Sequence, residues 1–151
     1  MNLLYRFSIL AACILCFHTT HAQLTKVKTY PTVTIGEVSN LVKFIAKLYY
    51  KVGDKDTTYV IEFNDMRYST TTNIKSISFR NQQGALDSLY SMLSAALNKP
   101  SEQPTLLKLG NEDISFSAKK AYGPASVTIY FQSAYFTLNR KQLNKLFGKP
   151  Q

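Results

Sequence analysis

Every cysteine and histidine in the chain (Cys13, Cys16, His18 and His21) falls within its first 22 residues. Whatever folds beyond residue 22 must therefore do so without disulfides or zinc staples, on buried apolar surface and backbone hydrogen bonds alone. The same stretch carries the three parts of an export signal: Arg6 near the start, the apolar run Phe7 to Phe17, and the polar tail His18 to Ala22 with small residues at Thr20 and Ala22. The run is too short for a transmembrane helix, which needs about 20 apolar residues. The expectation is a secretory signal peptide over 1–22 and a mature protein that begins at Gln23 and works in the periplasm or outside the cell.

A lipoprotein reading competes with this one. Leu10-Ala11-Ala12-Cys13 resembles a bacterial lipobox, in which Cys13 would carry the lipid and residues 14–22 would become a tether. Either way the folded part is residues 23–151, a length that suits a single domain with its own core.

The missing residue types close whole classes of chemistry. Thiol nucleophiles, Ser-His-Asp triads, imidazole acid-base catalysis and Cys or His metal sites need groups that the mature chain lacks. The remaining acid-base candidates are carboxylates, and a hydrolase would need two of them facing each other across a cleft. Asp54 with Asp56, and Glu112 with Asp113, read as turn residues in water; Glu62 with Asp65 sits at a strand end, a weaker pair but one less easily dismissed. Asp54-Lys55-Asp56 lacks the remaining ligands of a calcium loop. The sequence gives no reason to expect a metal or cofactor, and a non-enzymatic protein is the leading expectation.

After residue 22 there are 17 Lys and Arg against 9 Asp and Glu, a net charge of +8. Such an excess suits solubility, and it also suits a polyanionic partner such as nucleic acid or anionic lipid headgroups.

Periodicity predicts two helices. Leu86, Leu89, Tyr90, Leu93 and Leu97 recur at helical spacing over 85–97, after Gly84 and before the stop signals Asn98 and Pro100. A shorter helix spans about 140–147, with Asn139 as N-cap, Leu143, Leu146 and Phe147 inward, Lys141 and Lys145 in water, and Gly148 then Pro150 at its end. Strand patterns fill the rest. Residues 42–52 alternate in strand fashion, although a helix capped by Ser39 also fits them. A turn over Gly53 to Asp56 joins this segment to 58–63, where Tyr59, Ile61 and Phe63 share a face, and a third strand covers 74–80. Past the linker 98–105 with its two prolines, 106–109 and 114–118 flank a turn over Gly110 to Asp113, and strands follow around Val127 to Phe131 and Tyr135 to Leu138.

The fold class is therefore α+β, an antiparallel sheet protein with two helices in halves of about 23–99 and 104–151. Phe79-Arg80 followed by Leu86-Asp87-Ser88-Leu89-Tyr90 parallels Leu138-Asn139-Arg140 followed by Leu143-Asn144-Lys145-Leu146-Phe147. If Thr32 to Ile35 is also a strand, each half is four strands and a helix. In element order this resembles the Whirly and Pur-alpha families, whose doubled plan implies single-stranded nucleic-acid binding across a sheet. The Lys-Gly-Lys-Ala-Ala-Leu signature of Whirly proteins is missing from this chain.

One constellation fits such binding. Lys43, Lys47, Tyr49 and Lys51 share the parity of one strand face, and Tyr130 and Tyr135 from later strands would extend it into a track for phosphates and bases. Lys and Tyr also populate the ordinary solvent face of a sheet, which accounts for the same residues. The expected function is a small exported binding or interaction protein whose partner is a protein or a polyanion, with nucleic acid not favoured and a carboxylate-dependent hydrolase as a further alternative.

Overall fold

Alternation of apolar and polar residues resolves into eight strands and two helices in the computed structural model, which describes residues 29–150 apart from 54, 55, 69, 81, 83 and 121. The expected signal peptide, the start at Gln23 and the lipidation alternative at Cys13 lie outside the described residues. The chain runs β1 (Thr32–Ser39), β2 (Phe44–Val52), β3 (Thr57–Asn64), β4 (Ile74–Arg80), α1 (Ala85–Asn98), β5 (Thr105–Leu109), β6 (Glu112–Lys119), β7 (Ser126–Phe131), β8 (Ala134–Asn139) and α2 (Arg140–Leu146). The first four strands form one antiparallel meander and the last four a second, so each half is four strands followed by a helix.

Residues 44–52 are a strand, the first of the two alternatives that their pattern allowed. Strand period decides because Ala46 and Leu48 fall opposite Val38 and Gly36 on β1 and Phe63 and Ile61 on β3, which buries one face continuously. The second hairpin is tighter than expected. Gly110 takes the left-handed conformation that a short turn demands, so Glu112 and Asp113 belong to β6, opposite Leu109 and Lys108, rather than to the turn.

Each helix packs largely on the sheet of the other half. Helix α1 follows the first sheet but lies against β6 and β7, burying Leu89, Leu93 and Leu97. Helix α2 follows the second sheet and lies against β1 and β2 as well as β8, burying Leu143 and Leu146. One apolar core joins both halves, and within it the rings of Phe63 and Phe136 stack at 4.6 Å between the sheets.

The helices are latched to each other by polar contacts. Tyr90 donates to Asn144 Oδ1 at 3.0 Å, and Arg140 donates to Ser94 and Asn98. Asn139 caps α2 reciprocally with Gln142, satisfying two backbone donors at the helix start. Among the described residues, no helix is long and apolar enough to cross a membrane.

Candidate functional site

Helices and core occupy one side of each sheet, and the expected site residues lie on or beside the opposite, helix-free faces, where Tyr49 and Val60 of the first sheet are nonetheless buried. On the first sheet the register places side chains in rows. Thr32, Lys51, Thr58 and Arg80 form one row, Thr34, Tyr49, Val60 and Ser78 the next, and Glu37, Lys47, Glu62 and Ser76 a third.

These rows interleave the expected cations with acids. Lys47 pairs with Glu37 at 3.7 Å, and Tyr49 donates a 2.6 Å hydrogen bond to Glu62. Lys51 sits over the Tyr49 ring at 5.8 Å. Burial, reinforced by the bond to Glu62, pushes the Tyr49 hydroxyl up to about 12, so it remains a donor throughout the physiological range. The face is therefore a locally compensated lattice instead of a row of like charges.

The other expected residues sit elsewhere. Tyr130 and Tyr135 face each other across β7 and β8 on the open side of the second sheet, with ring centres 5.9 Å apart. The β3–β4 loop lies between them and Lys43. Tyr68 accepts from Lys43 Nζ on its backbone oxygen at 3.3 Å, Arg67 lies 5.4 Å over the Tyr68 ring, and Asp65 accepts from both Arg67 and the Tyr135 N–H. Lys43, Tyr68, Arg67, Tyr135 and Tyr130 thus form one contiguous strip, from which Lys47, Tyr49 and Lys51 are separate.

Asp65 anchors that loop. Its carboxylate is fully buried and accepts from the Arg67 backbone N–H at 3.1 Å, from Arg67 Nε and Nη2 at 2.9 and 2.6 Å, and from the Tyr135 N–H at 3.4 Å. The Met66 N–H reaches Tyr135 O at 2.9 Å, and the Thr137 N–H points at Met66 Sδ. The loop therefore covers the outer edge of β8 as a short extra strand would. The Arg67 hydrogen bonds hold the Asp65 carboxyl below its ordinary value, against the opposing effect of burial. Glu62 and Asp65, the carboxylate pair expected at a strand end, are thus engaged separately, one by Tyr49 and the other by Arg67.

The sign of the pH dependence follows. A carboxyl whose folded pKa lies below its unfolded value near 4 contributes stability that is fully present above pH 4 and fades as pH falls through the folded value. Asp65→Asn is expected to cost about 2 kcal/mol at neutral pH and to cost progressively less in acid. Urea unfolding of both proteins between pH 2 and 7 checks this, the two curves converging at the acid end.

Next to this anchored loop projects the β1–β2 turn. Asn40 holds the turn from within, its Oδ1 accepting from the backbone N–H groups of Val42 at 3.0 Å and Lys43 at 2.6 Å while its own N–H bonds to Lys43 O. At the tip Leu41 and Val42 are exposed to 105% and 89%, more than any other aliphatic side chains of the described residues. A cleft of about 260 Å³ separates this turn from Met66 and Tyr68, both themselves exposed, with Phe44 and Asn64 in its walls. A signal for the turn was present in Asn40-Leu41-Val42-Lys43, a side chain able to bond two residues on followed by two aliphatics that break the strand alternation. Comparison with known protein families, curated protein sequences and solved structures finds no match to this chain.

Proposed function

We propose that the protein is an exported, non-enzymatic binding module that docks a protein partner through the end formed by the β1–β2 turn and the β3–β4 loop. The observation that carries this reading is the pair Leu41 and Val42, fully exposed on a turn whose backbone is already fixed by Asn40. Exposed aliphatics gain nothing in the free protein, and a preformed turn loses little conformational entropy when it is buried.

The surroundings support a protein as the occupant. Met66, Arg67, Tyr68 and Tyr135 bring to one seam the residue types enriched at the centres of protein interfaces. Such a seam suits a partner protein that offers an apolar pocket for Leu41 and Val42. A polyanion is less well served, because Glu37 and Glu62 lie among the lysines of β2 and Asp65 already engages Arg67. A carboxylate-dependent hydrolase has as its best pair two acids that are already bonded to other side chains.

Burying one such aliphatic side chain in a partner is worth about 1.5–3 kcal/mol, so Leu41→Ser with Val42→Ser should weaken binding at least tenfold. Folding stability should change by no more than about 0.5 kcal/mol, since both side chains already face water. A photo-crosslinking residue at position 42 in exported protein tests the reading. It should yield an adduct of one discrete mass, lost when Leu41 is changed to Ser and absent when the crosslinker replaces Lys108 on the second sheet. No adduct at position 42, or the same adducts at 108, would refute the docking end.

A further inference from the structure

The opposite end of β2 holds a second site, independent of the docking end and roughly 25 Å from it along the strand. A wide, open depression of about 520 Å³ lies there on the helix-free face of the first sheet. Its floor is Val60, 5% exposed, and the small side chain of Ser78, which lie opposite each other on β3 and β4. Lys51, Thr58 and Arg80 cross its mouth in a single row, and Tyr30 supplies another wall.

Adjacent strands lie about 4.8 Å apart, so the Cα atoms of Lys51 and Arg80 are roughly 10 Å apart with the Thr58 hydroxyl between them. Two long cationic side chains at that spacing can close on one oxyanion from both sides. A guanidinium contributes paired donors to it and an ammonium a point charge.

Asp56 is the acid among the cavity's described residues. It pairs with Arg80 at 3.4 Å, both side chains being more than half exposed. Exposed pairs of this kind are weak and exchangeable. The Asp56 carboxylate thus occupies the position at Arg80 that a ligand's own acid group would take.

We propose that this cavity binds an anionic saccharide unit. The acid group lies between Lys51 and Arg80 in place of Asp56, ring hydroxyls reach Thr58 and Ser78, and the C–H face of the ring packs against Tyr30. A uronic acid and a sugar phosphate satisfy the same contacts, one through a carboxylate and the other through a phosphate.

The test is a set of NMR titrations of the folded protein with glucuronate, glucose 1-phosphate, glucose and inorganic phosphate. At least one anionic sugar should give saturable shifts confined to residues around 51, 58, 78 and 80, about tenfold tighter than glucose or inorganic phosphate. The better of the two identifies carboxylate or phosphate as the acid group. Lys51→Gln and Arg80→Gln should each weaken that binding about tenfold, whereas Asp56→Asn should strengthen it several-fold by removing the internal competitor. Equal responses to glucose or inorganic phosphate, shifts scattered over Lys43 and Lys47, or weaker binding by Asp56→Asn would overturn the proposal, as would the absence of saturable shifts with both anionic sugars. None of these results depends on the Leu41 and Val42 surface.

Discussion

Gly36→Ala is expected to destabilise the protein by about 3 kcal/mol or more, at the upper end of what overpacking costs. The first sheet bulges between Thr34 and Gly36, and the C-terminal end of α2 is seated directly on that bulge. A methyl group at position 36 would overlap the carbonyl oxygens of both Lys145 and Leu146. Backbone cannot swing aside as a side chain can, so relief requires lifting α2 from β1. That movement would expose Leu143 and Leu146, both buried in the core. Gly84→Ala serves as the control: its φ is +70°, but nothing lies within 4 Å, leaving only left-handed strain of about 1 kcal/mol. Urea denaturation of the two variants should separate them clearly. A Gly36→Ala loss no larger than that of Gly84→Ala would mean that α2 does not rest on β1.

Phe136→Ala is expected to cost about 3–5 kcal/mol, a large share of the stability of a protein this size. Phe136 is 1% exposed and stacks on Phe63, itself fully buried, so the pair joins the second sheet to the first. The penalty combines lost transfer free energy with a cavity that neither sheet can close without moving relative to the other. A double-mutant cycle of Phe63→Leu and Phe136→Leu should show a coupling of about 0.5–1.5 kcal/mol. Because one core spans both halves, unfolding should remain a single transition in every variant. Two separate transitions, or a Phe136→Ala loss below about 1 kcal/mol, would show that the sheets are stabilised independently.

Local pattern made much of this fold legible in the chain. The stripe of Leu89, Leu93 and Leu97 identified α1, the Asn139 cap and Gly148 bracketed α2, and the alternation of Tyr59, Ile61 and Phe63 assigned the inner face of β3. What was not legible depends on partners distant in sequence. Nothing in Leu89 or Leu93 says that α1 will cover β6 and β7 in preference to the sheet just before it, since any apolar face satisfies a leucine stripe. Gly36 lies just past the expected strand over 32–35, and nothing marks it until the α2 carbonyls are placed above it.

The candidate site divides along the same line. Lys47, Tyr49 and Lys51 share one face of β2 as expected, but Lys43, expected on the same strand face, falls in the turn before the strand begins at Phe44. Their partners Glu37 and Glu62 come from neighbouring strands and become visible only when the register is known. Asp65 and Arg67, two residues apart, carried a local signal for a self-bonded loop, but their contact with Tyr135 spans 70 positions. Val42 was expected to open the strand over 42–52, but the strand begins at Phe44 and the Asn40 side chain holds Leu41 and Val42 on an exposed turn instead.

The most direct test of the docking account is an equilibrium titration of the crosslinked partner, once purified, with wild-type protein, with the Leu41→Ser and Val42→Ser double variant, and with a Lys47→Ala and Lys51→Ala double variant at low and high salt. The account predicts at least a tenfold loss for the serine variant at both salt concentrations, and little change for the alanine variant. Binding that survives the serine changes, yet falls steeply with salt and with removal of the two lysines, would contradict it and point to a polyanion on the open face of the first sheet.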